Sequence, residues 1–498
     1  MAQVMFLLLF LIFPVLTGVL FVALVLPPAK MPKHFFPVTC FLSIGIGFGI
    51  SYCLTFLLLT SVGLSRRSIL STELLLSIIL AGGLFYRTLP RRQPFAVDKS
   101  LAQSTASSGA PRAISICFLI ALLFSLMVFA ASSWKAPHGG WDAFAIWNRR
   151  ARFLFRAGIH WVDAFSEHLG KVDYPLFIPT NVARGWVIVG SDTTVIPIIL
   201  SALFTFSIVG LTVSSLSFLR GRSQGSLAGL VLCGTPFLIS LGASQLADVP
   251  LAFLFLSTLV LFRLKTESPA YQYRLVFLAG VAAGFSTGVK NEGSLFLVST
   301  LLSLTAIALV PKKRLAHSKD LGYFFLGTLP GLAVTICFKS YYSPMTGLFF
   351  AADFHTLVSK ITDPARHLLV LGTFQRELRN FGGWPFSMPI FLLFYVLVLG
   401  TRRDIRFGEE VAPLLMVLAM MLAGYYWVYI LGLTQPGTTT AVHPTWDLLT
   451  WHLQTSLDRL LVQLWPSAVF AYFLTTRTIE EVVAKRHREA LTNYSPRA

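Results

Sequence analysis

Long apolar runs alternate with short polar or basic stretches along almost the whole chain. A helix needs about 20 predominantly apolar residues to cross a bilayer, and thirteen runs approach or exceed that length. They lie at 4–26, 36–60, 69–86, 113–133, 193–218, 226–244, 249–264, 275–289, 293–310, 321–341, 386–401, 411–433 and 460–476. The pattern therefore predicts an all-α polytopic membrane protein with about 13 transmembrane helices.

Lysines and arginines between these runs gather in alternate loops, and this asymmetry predicts which face is cytoplasmic. The basic loops are those around Arg91, Arg220, Arg263, Lys312 and Arg402, followed by a basic tail. The opposite, non-cytoplasmic face then receives three longer segments, at 134–192, 342–385 and 434–459.

Composition agrees with a bilayer as the main solvent. Of the 498 residues, 55% are hydrophobic and only 12% are charged, whereas soluble domains carry roughly a quarter charged residues. The net charge of +18 comes from the loop clusters, and no basic domain with interleaved aromatic residues exists, so nucleic acid is not an expected partner. The five cysteines lie in apolar runs and the ten histidines lack metal-ligand spacing. No metal site is predicted, although a divalent cation held by carboxylates stays an open question.

The runs divide the chain into four regions. Residues 1–112 hold three N-terminal spans and a Ser-, Ala- and Gly-rich cytoplasmic linker; 113–310 form a membrane core with the outer loop 134–192; 311–476 hold C-terminal spans with the outer loops 342–385 and 434–459; and 477–498 form a basic cytoplasmic tail. There is no repeat of fixed period. Compact loops and the lack of an organellar signal favour a bacterial plasma (inner) membrane.

The first outer loop predicts an amphipathic helix that lies in the membrane plane. Arg149, Arg152 and Arg156 share one helical face, with Asp142 near them, and apolar residues fill the other. The arginines either meet lipid headgroups in a structural role or bind a phosphate, whose oxygens match the guanidinium group. Asp142 is the first candidate for a general base, with a solvated surface charge as the alternative.

Four more polar sites are predicted on the same face. Asp173 and Tyr174 precede a turn fixed by Pro175, where a purely structural turn is the alternative. Asp248 stands between two spans, where helix capping is the alternative role. Lys290, Asn291 and Glu292 form a polar turn that is either a neutralised cap or a lipid-phosphate contact, and Arg459 beside Asp458 at the last span is either functional or an interfacial ion pair.

The order of these motifs resembles the GT-C superfamily of membrane glycosyltransferases, and is most similar to bacterial relatives of the protein O-mannosyltransferases and the lipid A aminoarabinose transferases. The resemblance covers about residues 113–310. Asp142 matches the family's acid in the first outer loop, Asp173-Tyr174-Pro175-Leu176 aligns with a Lys-Pro-Pro-Leu-like turn, and Asp248 matches the second acidic turn. Two departures are Ala143, where many members carry a second acid, and Asp-Tyr in place of Lys-Pro.

The resemblance implies transfer of a sugar from a polyprenyl-phosphate donor to a glycan, lipid or protein hydroxyl outside the cytoplasm, usually with inversion. Asp142 is then the expected base, with Asp173 second. Arg149, Arg152 and Lys290 are expected at the donor phosphate, and Tyr174, Asp248, Asn291, Glu292 and Arg459 as supporting residues. The alternative class is a transporter or lipid flippase, whose usual signs are ionisable residues at mid-span and inverted repeats.

Overall fold

The computed structural model describes residues 2–27, 35–88, 112–309, 314–343, 354–402, 407–432 and 445–485. Helices dominate these residues, and the only pairing of extended backbone among them is an isolated antiparallel bridge between Thr401 and Thr476. The architecture is therefore that of an all-α polytopic membrane protein, as the sequence predicts.

Nineteen α-helices lie within the described residues. They are α1 (Ala2–Val25), α2 (Phe36–Ser61), α3 (Arg66–Thr88), α4 (Arg112–Lys135), α5 (Arg149–Arg156), α6 (Phe177–Val189), α7 (Val195–Arg220), α8 (Arg222–Cys233), α9 (Pro236–Ala243), α10 (Asp248–Glu267), α11 (Gln272–Thr287), α12 (Asn291–Ala308), α13 (Arg314–Tyr341), α14 (Phe354–Thr362), α15 (Pro364–Arg379), α16 (Met388–Leu399), α17 (Phe407–Glu410), α18 (Ala412–Leu431) and α19 (Thr445–Thr475).

Nine helices in the described part of the chain are long and apolar enough to cross a membrane, and two bent pairs raise the number to as many as eleven. The bends are 62° between α8 and α9, and 82° between the α15 segment and α16. The remaining two predicted spans, 275–289 and 460–476, are also helical. However, α11 has 16 residues, and α19 carries many polar residues, so the full count of about 13 stays a prediction.

The centre of the bundle is α10, whose residues are buried from Asp248 to Leu264. It packs against α7, α11 and α19. Helices α11 and α13 can approach closely because Gly280 and Gly284 have no side chain. A Cβ at either position would collide with backbone atoms of α13. Small residues at four-residue spacing permit such close packing between membrane helices.

The charged residues of α10 lie at its two ends. Its last turns carry Arg263 and Lys265, which pair with Glu410 at 2.9 Å and Asp320 at 2.8 Å. Its first residue, Asp248, belongs to a different ionic cluster about 22 to 26 Å away along the helix, at 1.5 Å per residue. The candidate residues of the sequence analysis lie at this second end, which the charge pattern predicts to be non-cytoplasmic.

The outer loop 134–192 is mostly ordered structure rather than a surface loop. It contains a π-helical turn, Ala143–Asn148, that runs directly into α5, and it ends in α6, which is buried along most of its length. Helix α6 packs against α1, α2, α3 and α7. The three N-terminal spans are therefore joined to the core through α6, and α2 also contacts α7, α11 and α13.

Candidate active site at one end of the helix bundle

Asp248 is the buried centre of the cluster, with no exposed side-chain surface. Its Oδ1 accepts hydrogen bonds from Lys290 Nζ at 2.9 Å and from Gln463 Nε2 at 2.6 Å. Its Oδ2 accepts from Arg459, through Nη2 at 2.9 Å and Nε at 3.3 Å. The carboxylate does not cap α10, whose N-cap residue is Ala247. Four charge-assisted or amide hydrogen bonds thus hold Asp248 as a fixed anion.

Asp142 is the exposed counterpart of Asp248 across the same arginine. Arg459 Nη1 donates to Asp142 Oδ2 at 2.7 Å, and 29% of the Asp142 side chain is exposed. Within the described residues, Oδ1 of Asp142 has no hydrogen-bond partner. One arginine therefore bridges a saturated, buried carboxylate and a partly open one.

Lys290 links the buried aspartate to the rim of the cluster. Its Nζ lies 2.8 Å from Glu292 Oε1 as well as 2.9 Å from Asp248 Oδ1. Burial acts to lower the pKa of Lys290, but the carboxylates of Asp248 and Glu292 outweigh it and hold that pKa above its usual value. The geometry of Lys290 thus fits the neutralised-cap interpretation, and the lipid-phosphate contact stays a prediction.

A second chain of contacts holds Asp173. Asn291 Nδ2 donates to Asp173 Oδ2 at 2.5 Å, and Lys339 Nζ donates to Asn291 Oδ1 at 2.6 Å. Because Asn291 follows Lys290 directly, Asp173 lies beside the first group. The four residues Asp142, Asp173, Asp248 and Lys290, which are far apart in sequence, are therefore brought to one end of the bundle.

The turn that carries Asp173 is fixed by a buried arginine that the sequence analysis did not single out. Arg150, on α5, donates to the carbonyl oxygens of Gly170 and Tyr174, each at 3.4 Å, and to that of Lys171. Burial lowers the pKa of Arg150 to about 10, and the charge of Asp173 opposes this shift. The Tyr174 ring stacks on Trp147, with ring centroids 5.4 Å apart and planes 9° apart.

Backbone and amide contacts hold the π-helical turn against the start of α10. Gly140 N donates to Ser244 O at 3.0 Å, and Asn148 Nδ2 donates to Gln245 Oε1 at 3.0 Å. Gln245 itself has a positive φ of 58°, a conformation that is uncommon outside glycine and marks a constrained position. These contacts explain why Asp142 lies next to Asp248.

Two of the three residues predicted at the donor phosphate have other partners. Arg149 Nη2 donates to Leu169 O at 2.5 Å, and Arg152 Nε lies 3.3 Å from Asp192 Oδ2. Arg156 also bonds Asp192, and this hydrogen bond lowers the pKa of the Asp192 carboxyl. Of the predicted cations, Lys290 and Arg459 lie in the cluster, whereas the exposed arginine face of α5 pairs with neighbouring protein groups.

The sequence analysis missed Gln463, Lys339 and Arg150. Two of them carry a signal in their spacing. Gln463 is four residues after Arg459, on the same face of a helix, and Arg150 is three residues after the buried Trp147, on the face opposite to the paired arginines. Lys339 carries no such local signal, because its contact with Asn291 depends on how α13 packs beside α12.

Positive and negative side chains are interleaved in the described cluster. Lys290 lies between Asp248 and Glu292, and Arg459 lies between Asp142 and Asp248. Within the described residues, no three His, Cys, Asp or Glu side chains come together as metal ligands. The carboxylates that do approach one another share an arginine or lysine.

The chain matches no protein-family model, and comparisons with characterised proteins and with solved structures give no similar protein. Assignment of a function therefore rests on the geometry of this cluster together with the motif order in the sequence.

Proposed function

We propose that the protein is a glycosyltransferase that moves a sugar from a polyprenyl-phosphate donor to an acceptor hydroxyl, on the non-cytoplasmic face of the cell membrane and with inversion. The observation that carries the proposal is the arginine bridge between Asp142 and Asp248. It joins a partly open carboxylate to a buried, saturated one, at the end of the bundle where the other family-like motifs also lie.

Asp142 is the general base in this proposal. A base must reach the hydroxyl proton that it removes, and the Asp142 carboxylate is partly exposed, with Oδ1 unengaged among the described residues. The acceptor oxygen forms a bond to the anomeric carbon, its proton passes to Asp142, and the bond from the anomeric carbon to the phosphate oxygen breaks with its electron pair on that oxygen. Asp173, whose Oδ2 is engaged by Asn291, is the second choice.

Arg459 and Lys290 supply the positive charge that stabilises the leaving phosphate. Arg459 is the stronger candidate for this role, because its Nη1 bonds the partly open Asp142. Lys171, an exposed cation whose Nζ lies 5.9 Å from the Tyr174 ring centroid, is available at the rim. Arg149 and Arg152 take part only if they leave Leu169 and Asp192.

The proposal is tested by replacing Asp142 with Asn in purified protein supplied with labelled polyprenyl-phosphate sugars. The wild-type protein is expected to release lipid phosphate, and the variant to lose at least about 100-fold in rate, the lower range for general base catalysis. Asp363→Asn is the matched control, since it makes the same chemical change at the N-cap of α15, outside the cluster, where Asn can accept the same backbone hydrogen bonds. Near-normal turnover by Asp142→Asn would remove Asp142 from the role of base.

One observation favours the transporter or flippase class as a second candidate. Glu73 and Arg184 form an ion pair buried among the N-terminal helices, and ionisable residues inside a membrane often mark a transport path. Both residues are fully paired with fixed partners, however, which favours a structural or positioning role. Proteoliposomes loaded with the labelled donor separate the two classes, because an enzyme cleaves the donor and a flippase moves it intact.

A further inference from the structure

The buried ion pair between Glu73 on α3 and Arg184 on α6 lies outside the candidate site. Arg184 Nε is 2.6 Å from Glu73 Oε1, and Arg184 Nη2 is 2.7 Å from Oε2. The two side chains are 3% exposed or less. This two-point geometry fixes the orientation of both side chains, which a single contact does not.

All three N-terminal helices contribute to this pair. On α2, Ser51 Oγ donates to Glu73 Oε1 at 2.6 Å. On α1, the carbonyl oxygen of Phe10 accepts from Arg184 Nη1 at 3.0 Å. Pro14 follows four residues later and has no N–H, so Phe10 lacks its usual helical donor and Arg184 replaces it. Each of the three helices thus contacts either Arg184 or its carboxylate partner Glu73.

Helix α6 connects the ion pair to the candidate site. It begins at Phe177, directly after the turn that carries Asp173 and Tyr174. Phe177 N donates to the carbonyl oxygen of Gly288 at 2.8 Å, two residues before Lys290. Arg184 lies seven residues further along, about 10 Å from this contact at the rise of an α-helix. A shift of α6 at Arg184 would therefore move the turn.

We infer that the Glu73–Arg184 pair positions the 171–174 turn, and that the three N-terminal spans hold α6 in the register that the candidate site needs. Glu73 and Arg184 are positioning residues in this inference. A buried ion pair seldom adds stability over apolar packing of the same volume, but it can specify one arrangement of the packed elements. Only the kinetic part of the test below rests on the proposed function.

The test uses Lys171→Cys as a reporter on the full-length protein. Lys171 is exposed on the turn, so a sulfonated, membrane-impermeant maleimide should label Cys at this position, with the rate read by mass spectrometry of the labelled peptide. Glu73→Gln is added to this background. The matched control is Glu410→Gln, which removes the partner of the buried Arg263 at the opposite end of the bundle.

In protein that elutes as a folded species, Glu73→Gln is expected to change the labelling rate at position 171 by about tenfold, as local opening or displacement of the turn changes access. Glu410→Gln should leave that rate unchanged. An unchanged rate in folded Glu73→Gln protein overturns the inference. If Glu73→Gln does not fold, Arg184→Lys decides by the same two outcomes, because it keeps the charge of the pair but loses its two-point geometry.

A kinetic measurement tests whether displacement of the turn affects sugar transfer. With Lys171 intact, Glu73→Gln is expected to lower kcat by about tenfold or more with little change in donor KM, since misplacement of reacting groups acts on the rate rather than on binding. A variant that only unfolds a fraction of the molecules would lower the active concentration without changing the labelling rate of the folded ones. If wild-type protein shows no transfer at all, the proposed function fails, and the labelling result still decides the positioning inference.

Discussion

Replacing Asp248 by Asn should destabilise the fold far more than the same change at Asp142. Asp248 is fully buried and accepts hydrogen bonds from Lys290, Arg459 and Gln463. The substitution leaves Lys290 with the partly exposed Glu292 alone. Removing one partner of a buried ion pair costs about 3–5 kcal/mol, because the remaining charge is left uncompensated.

At Asp142 the expected cost is below about 1 kcal/mol, the value typical of partly exposed ion pairs. Arg459 keeps Asp248 as its partner in this variant, so no buried charge is left alone. The free energy of unfolding is measured by titration with SDS in mixed micelles, on wild type and both variants. Asp248→Asn should lose about 3–5 kcal/mol, with Asp142→Asn serving as the matched control.

A double-mutant cycle with Lys290→Met identifies the interaction responsible. The two residues are in direct contact at 2.9 Å, so their coupling energy should be about 1–3 kcal/mol. If Asp248→Asn costs no more than Asp142→Asn, or if the cycle gives no coupling, the assignment of Asp248 as a fixed structural anion is wrong.

Two further variants test the surroundings of the cluster, with Arg149→Met as a comparison for the first. Arg150→Met should cost about 2–4 kcal/mol and lower transfer, since three carbonyl oxygens of the turn lose a charged donor; Arg149→Met, which loses one such bond, should cost less in the same SDS titration. The hydrogen bond from Arg156 lowers the pKa of Asp192 in the folded protein. The ionised Asp192 therefore stabilises the fold fully at pH values above its unfolded pKa of about 3.9. This stabilisation is lost as the pH falls through the lower pKa of the folded protein. On acidification below about pH 4, the SDS unfolding midpoint of Asp192→Asn should therefore fall less than that of wild type. An equal dependence of the midpoint on pH in the two proteins would contradict this.

The helices and their two charged ends follow from local sequence features. Apolar runs of membrane-spanning length fix the spans, and the alternation of basic loops places Asp142, Asp173, Asp248 and Lys290 on one face before any packing is known. A short connection between consecutive spans accounts for part of their approach to one another. Asp248 and Lys290, for example, lie at the same end of α10 and α11, which are consecutive helices.

The pairings within the cluster could not be predicted from the sequence, because they depend on tertiary packing. Asp142 and Arg459 are 317 positions apart, and nothing local indicates that α19 passes between the first outer loop and α10. The same reason hides the Glu73–Arg184 pair. Its arginine belongs to a segment with the length of a loop, and the burial of α6 depends on the three N-terminal helices around it.

The arginine bridge also gives the proposed reaction a simple charge balance. A donor phosphodiester carries one negative charge, and the departing lipid phosphate acquires a second. When Asp142 takes the proton of the acceptor hydroxyl, its carboxyl becomes neutral and no longer competes for Nη1 of Arg459. The guanidinium stays held by the buried Asp248 through Nε and Nη2, so the freed N–H is already in place as charge develops on the phosphate. Because Asp142 is partly exposed and Asp248 is buried, protonation can release Asp142 from Arg459 while Asp248 stays bound to it.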